Sequence, residues 1–183
     1  MTEIAAVAFG IAYILFAIRE HRACWIAGGI STAIYAVVFF DAGLPMQAVL
    51  QLVYVAMSIY GWFAWGRDAG KSPPPVSLRF RTHLLALVGI ALATVASVPL
   101  VARYATAASP LADSLGAWAS LFATWLLARR TIDTWPWWVV IDAGLAALFA
   151  SQGLWPTAAL YLAYSLLAVA GWRSWRQRRM PAT

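Results

Sequence analysis

Seven long apolar runs divide the chain, separated by shorter polar or charged stretches: Ile4–Ile18, Trp25–Phe40, Pro45–Trp65, His83–Val101, Leu115–Ala128, Trp135–Ser151 and Trp155–Trp175. Within each run the apolar positions are nearly continuous. A barrel strand would alternate apolar and polar residues over about 10 positions. A helix needs about 17–25 apolar residues to cross the hydrocarbon of a bilayer. The pattern therefore predicts seven transmembrane helices, the shorter runs being extended into the headgroups by flanking Trp and Arg. Pro45, Pro136 and Pro156 fall near predicted helix starts, where proline is tolerated. Pro99 lies late in the fourth helix. Gly28, Gly29, Ser31, Thr32 and Ala33 form a small-residue stretch suited to close helix approach.

The longest break, Gly66–Arg81, reads GRDAGKSPPPVSLRFR. Its three successive prolines exclude a continuous helix, and it reads as a linker between two halves. GRDAGKS has one residue too few between its first Gly and the Gly-Lys for a phosphate-binding loop, and prolines follow where that motif needs a helix.

Composition agrees with a membrane protein: 63% of residues are hydrophobic and 11% charged, against roughly 25% charged in soluble domains. The net charge of +6 is spread over several loops rather than gathered in one patch, so no nucleic-acid partner is expected. With loops alternating across the membrane, 12 of the 13 Lys and Arg fall on one side and only Arg103 on the other. Basic loops stay in the cytoplasm. The expected protein is a multi-pass protein of the cell inner (plasma) membrane, with its N-terminus outside and its C-terminus cytoplasmic. Glu3, with no basic residue before the first run, argues against a signal peptide. Cys24 is the single cysteine, and His21 and His83 lie far apart, so neither an internal disulfide nor a metal site is expected. No cofactor is expected.

QLVYVAMSIYGWFAW at 51–65 returns as YLAYSLLAVAGWRSW at 161–175. Aligning 25–65 with 135–175 without gaps gives 13 identities in 41 positions, among them Trp25, Gly43, Tyr54, Gly61, Trp62 and Trp65. This is read as an internal duplication. Matching helices are four crossings apart, so both halves point the same way. The expected fold is an all-α integral membrane protein of seven transmembrane helices in a 3+1+3 parallel-repeat, SWEET-like arrangement. Its parts are a first three-helix repeat (1–66), a cytoplasmic linker (67–82), an inverting helix 4 (83–104), a second three-helix repeat (112–176) and a basic tail (177–183). Substrate is expected near the midplane between the halves, carried by their rocking.

The combined pattern of Trp25, Gly28, Tyr35, Gln51-x-x-Tyr54 and Tyr60-Gly61-Trp62-x-x-Trp65 resembles the PnuC family of vitamin transporters. So does Trp135-x-x-Trp138-x-x-x-Asp142 with Tyr161 and Gly171-Trp172-x-x-Trp175. The resemblance covers most of the chain and is weakest in helix 4 and the tail. It implies facilitated diffusion of nicotinamide riboside for NAD synthesis, with a cytoplasmic kinase trapping the product as a functional partner, and a homo-oligomer, a trimer. Relatives carrying thiamine or other vitamins are the alternative. Nicotinamide riboside carriers of the family place Asn in the cavity. This chain has no Asn, so amide contacts fall to Gln51, Gln47 or Gln152.

Asp142 sits near the middle of the sixth run. A carboxylate there costs about 2.5–3.5 kcal/mol on insertion scales, so it should face protein or water and mark function. Two readings stand: it attracts the ring cation of the substrate, or it is a hydrogen-bonded acid joining helices. Trp135, Trp138 and Asp142 share a helix face, and an aromatic beside an acid suits a flat cation. The interfacial belt is the other reading for Trp138, and it is the one given to Trp25, Trp62, Trp65, Trp135, Trp137, Trp155, Trp172 and Trp175. Trp125, deeper in its run, is a candidate for substrate or for packing. Gln51, Tyr54 and Ser58 share a face of the third helix, either lining the cavity or bonding a neighbouring helix. Thr32 and Tyr35 are a further candidate pair. Tyr161 and Tyr164 stand at the repeat positions of Gln51 and Tyr54.

A retinal protein needs a Lys in its last helix, and Lys71 is the sole Lys. A membrane-embedded enzyme would need a nucleophile and base or a metal cluster, and no such group accompanies Asp142. A non-transporting sensor would keep the same cavity. With no nucleotide motif and no relay of acids, downhill carriage is expected.

Overall fold

The computed structural model describes residues 2–41, 45–66, 75–104, 110–151 and 155–179. Among these the protein is all-helical, with α1 (Thr2–Ile18), α2 (Ala23–Asp41), α3 (Pro45–Gly66), α4 (Phe80–Tyr104), α5 (Pro110–Ala128), α6 (Thr134–Ser151) and α7 (Trp155–Arg179). Each apolar run is one helix. The ends differ most at α4, α5 and α7, which begin earlier or run on through polar residues. Hydropathy stops at the first charge, whereas Arg and Gln are good helix formers and let the backbone continue. Residues 67–74, which hold the GRDAGKS sequence beyond Gly66 and the first two prolines of the run, lie outside the described residues, as do Gln152 and the side chain of Gln47.

Three described helical segments are long and apolar enough to cross a membrane, Ala48–Gly66, Phe80–Arg103 and Pro110–Ala128, and Ala5–Ile18 and Ala23–Val37 are shorter apolar segments. On α4, Leu85, Leu92 and Val95 are 72, 67 and 70% exposed. Apolar exposure along a whole helix suits lipid.

The chain forms two compact units, Met1–Pro74 and Pro75–Thr183. In the first, α2 packs on both α1 and α3. α1 ends in a Schellman turn: the Glu20 N–H donates to the Ala17 carbonyl (3.0 Å) and the His21 N–H to that of Phe16 (2.9 Å), with Glu20 left-handed at φ 54°. Small residues then let α2 approach its neighbours. The Ser31 hydroxyl donates to the Ala6 carbonyl at 2.8 Å. A side chain at Gly28 would meet the Tyr13 ring at 2.9 Å, and one at Gly29 would meet Ser58 at 3.4 Å. The Trp25 ring lies flat on Gly61, 2.3 Å from where a Cβ would stand. It meets Trp65 edge-on, with centroids 5.6 Å apart and planes at 89°.

In the second unit α4 packs on α5, α5 on α6, and α6 on α7. The same local devices recur 110 residues on. Arg130 is left-handed at φ 52°, its N–H donating to Leu127 and that of Thr131 to Leu126, both at 2.9 Å. Trp135 lies on Gly171, 2.5 Å from where a Cβ would stand, and edge-on to Trp175, 5.5 Å away at 83°. Hydroxyls on these helices bond to carbonyls, Thr134 to Ala123 at 2.8 Å and Ser165 to Val139 at 3.1 Å, which satisfies these buried groups.

These contacts correct the belt reading for four tryptophans. Trp25, Trp65, Trp135 and Trp175 are buried. Trp25 and Trp135 plug helix seams, because Gly61 and Gly171 on the facing helices leave room for an indole, and Trp65 and Trp175 close edge-on against them. Trp155 and Trp172 remain exposed, and Trp62 lies under the Arg22 guanidinium, 3.5 Å from the ring centroid.

Candidate functional site

α6 carries the candidate acid. Asp142 is 6% exposed, and among the described residues no ion pair engages it. Trp138, one turn earlier and half-buried, packs against the apolar cluster of Ile90 on α4, Ala119 and Ala123 on α5 and Ile141 on α6. Trp135 parts from this pair, being taken up by Gly171 and Trp175 of α7. α6 therefore presents one half-buried indole and one buried carboxylate a turn apart.

Other candidates in the second unit are engaged to different degrees. Trp125 stacks on Phe122 with centroids 5.7 Å apart, and the Arg129 guanidinium lies 5.1 Å from its ring. Tyr161 and Tyr164 on α7 meet edge-to-face at 5.9 Å. In the first unit, the Thr32 hydroxyl donates back to the Gly28 and Gly29 carbonyls at 3.0 and 3.3 Å. Ser58 is buried against Gly29. Gln51, Tyr54 and Tyr35 are half-buried, and both tyrosines have interaction partners. The structure thus brings Thr32, Tyr35, Gln51, Tyr54 and Ser58 onto α2 and α3 of one unit, and Trp125, Trp138, Asp142, Tyr161 and Tyr164 onto α5–α7 of the other. Among the described residues no three of His, Cys, Asp and Glu gather as a metal site would need.

One polar cluster has no counterpart in the sequence reading. Asp133, in the α5–α6 turn, accepts hydrogen bonds from the Ser77 hydroxyl (3.0 and 3.1 Å), the Leu78 N–H (2.7 Å) and His83 Nε2 (3.3 Å). Trp137 Nε1 donates to His83 Nδ1 at 3.2 Å. Val76 bridges the same turn through backbone bonds, its N–H donating to Arg130 (3.2 Å) and its carbonyl accepting from Ile132 (2.8 Å). The two sides of this cluster lie 50 to 56 positions apart in the chain at each side-chain bond, and no spacing rule joins them. The visible signal was limited to an acid three residues after Arg130 and just before the Thr-Trp-Pro-Trp-Trp start of α6.

Residues 1–177 match the model of the nicotinamide mononucleotide transporter family. The chain is 26% identical over 193 aligned residues to the nicotinamide riboside transporter PnuC of Escherichia coli, covering 91% of this chain and 81% of that protein. The PnuC of Shigella flexneri matches equally. The riboflavin/roseoflavin transporter RibM of Streptomyces davaonensis is 29% identical over 147 residues, covering 76% of this chain and 69% of RibM. No solved structure matches the chain significantly. With seven helices among the described residues and a family model matching almost its whole length, the chain belongs to the PnuC/nicotinamide mononucleotide transporter family, a family of multi-pass membrane transporters for vitamin uptake rather than enzymes.

Proposed function

We propose that this chain carries nicotinamide riboside downhill across the inner membrane. One observation carries the choice: Asp142 is buried with no ion pair among the described residues. A buried carboxylate without a counter-charge is unfavourable, and a substrate bringing its own pyridinium cation relieves it. Trp138, a turn away, offers that flat cation an aromatic face. Gln51 and Tyr54 of the first unit, with Thr32, Tyr35 and Ser58, and Tyr161 and Tyr164 of the second, with Trp125, are the groups proposed for ribose and ring edges. Support also comes from likeness to a nicotinamide riboside transporter along 91% of the chain.

Riboflavin is the second reading, favoured by the RibM likeness. Its isoalloxazine ring is neutral, so it gains nothing from Asp142. The titration that separates the two uses purified protein with nicotinamide riboside, riboflavin and thiamine, followed by calorimetry, with Trp138→Ala and Gln51→Ala in parallel. Nicotinamide riboside is expected to bind most tightly, and both variants to weaken it. Riboflavin binding without nicotinamide riboside binding would move the function to the second reading. In vesicles, the proposed carriage brings substrate to equal concentrations inside and out. Uphill uptake driven by a proton gradient and abolished in Asp142→Asn would overturn it.

The same reading takes the protein as a 3+1+3 parallel repeat, residues 1–66 and 112–176 flanking the inverting α4, with 67–82 as linker and 177–183 as tail. The Schellman turns, the indole-on-glycine contacts and the edge-on Trp pairs, each recurring 110 residues apart, support it. The one-sided Lys and Arg distribution supports an outside N-terminus and a cytoplasmic C-terminus. A homotrimer, and a cytoplasmic kinase that traps the product, complete the proposal.

A further inference from the structure

We propose that Asp133 is a positioning residue for transport: through His83 and Trp137 it holds the first turn of α6 in the register that presents Trp138 and Asp142. The inference rests on the reading of α6 as the substrate-contacting helix.

Asp133 stands immediately before the first residue of α6. An Asp there ordinarily turns its carboxylate onto its own helix and caps the free N–H groups of the first turn. This one reaches across to the linker end and to α4 instead, accepting from Ser77, Leu78 and His83. The 2.7 Å bond from the Leu78 N–H has the short length of a charge-assisted hydrogen bond. Breaking a local rule at a single position points to a role beyond the helix itself.

The hydrogen-bond pattern also assigns the imidazole. Trp137 Nε1 is a donor only, so His83 Nδ1 accepts and Nε2 carries the proton given to Asp133. A chain of donors thus runs Trp137 to His83 to Asp133. Its indole end is wedged edge-on against Phe122, 4.9 Å between centroids. Trp137 is bonded directly to Trp138 in sequence, and Asp142 lies five residues on, so a shift of this turn moves both. At 20% exposure the carboxylate keeps contact with water, so its hydrogen bond to the neutral imidazole contributes little to global stability. Its value lies in orientation.

The test compares Asp133→Ala, Asp133→Asn, Trp137→Phe and the double variant Asp133→Ala/Trp137→Phe. Trp137→Phe keeps a ring against Phe122 and removes only the donor. Affinity for nicotinamide riboside is expected to fall about tenfold in Asp133→Ala, the scale of a lost charged hydrogen bond. It should fall similarly in Trp137→Phe and no further in the double variant, and Asp133→Asn should restore most of it by keeping an acceptor for Leu78. Ser31→Ala, which removes a buried bond in the other unit, should lower the melting temperature and leave affinity alone. Wild-type affinity in Asp133→Ala, or losses that simply add, would overturn the proposal. Hydrogen exchange needs no ligand: the first-turn amides of α6 should exchange faster in both single variants, and unchanged exchange would also overturn it. If Trp138→Ala and Asp142→Asn leave binding intact while exchange responds as expected, the reading of α6 as the binding helix fails and the network stands.

Discussion

Asp142→Asn is expected to weaken nicotinamide riboside binding at least about 30-fold while leaving riboflavin binding unchanged or tighter. Truncating one member of a buried charge pair costs about 2–5 kcal/mol, much of it from leaving the other charge unpaired. At about 1.4 kcal/mol per decade, the lower end of that range already gives the stated factor. Asn is nearly isosteric, so the change isolates charge from shape. A neutral flavin loses no charge interaction, and it no longer has to share the site with a bare carboxylate. Calorimetry of both ligands on the wild type and the variant decides the matter. Equal losses for both solutes would make Asp142 a structural acid, and no loss for either would remove it from the site.

Gly171→Ala and Gly61→Ala should each destabilise the protein by about 3 kcal/mol, the upper part of the usual range for overpacking. A Cβ at Gly171 would stand 2.5 Å from the Trp135 ring, and one at Gly61 would stand 2.3 Å from the Trp25 ring. Neither ring can slide aside, because each is held edge-on by a second indole, Trp175 or Trp65. For a chain of this size such a loss lowers the melting temperature by about 6–12 °C. Pairing Gly61→Ala with Trp25→Leu should recover part of it, since the smaller side chain makes room, and the double-mutant cycle measures that coupling. A melting temperature within about 2 °C of wild type in both alanine variants would show that the seams are loose and the indoles movable.

Much of this was legible along the chain. Each apolar run became one helix, and such a run in a chain so poor in charge has few places to go but lipid. The Trp, Gly and Tyr repeated at an offset of 110 residues pointed to the family and to its class of function. The candidate acid stood out because an Asp deep in an apolar run needs a reason to be there. Other matters were not legible. Trp25 and Trp65 sit near segment ends, as interfacial tryptophans do, and composition cannot tell a belt residue from a plug. A clue was present in Gly61, four residues before Trp65 and so on the same helix face, but only a facing indole gives that glycine its meaning. Ser58 shares a face with Gln51 and Tyr54 by periodicity, and the structure sets it against Gly29 of α2. Helix periodicity identifies a face and not what lies opposite it.

By itself, then, the sequence determined the number and approximate extent of the helices, their membrane setting and the family, since hydropathy, periodicity and motif spacing are properties of contiguous residues. Only the tertiary structure decided which tryptophans turn inward. It also decided that Trp135 leaves Trp138 and Asp142 for α7, and that Asp133 binds Ser77, Leu78 and His83 rather than capping its own helix. Those outcomes depend on how closely two helices approach and in what register. Approach and register are set by the joint shape of side chains distant in sequence, which no local pattern records.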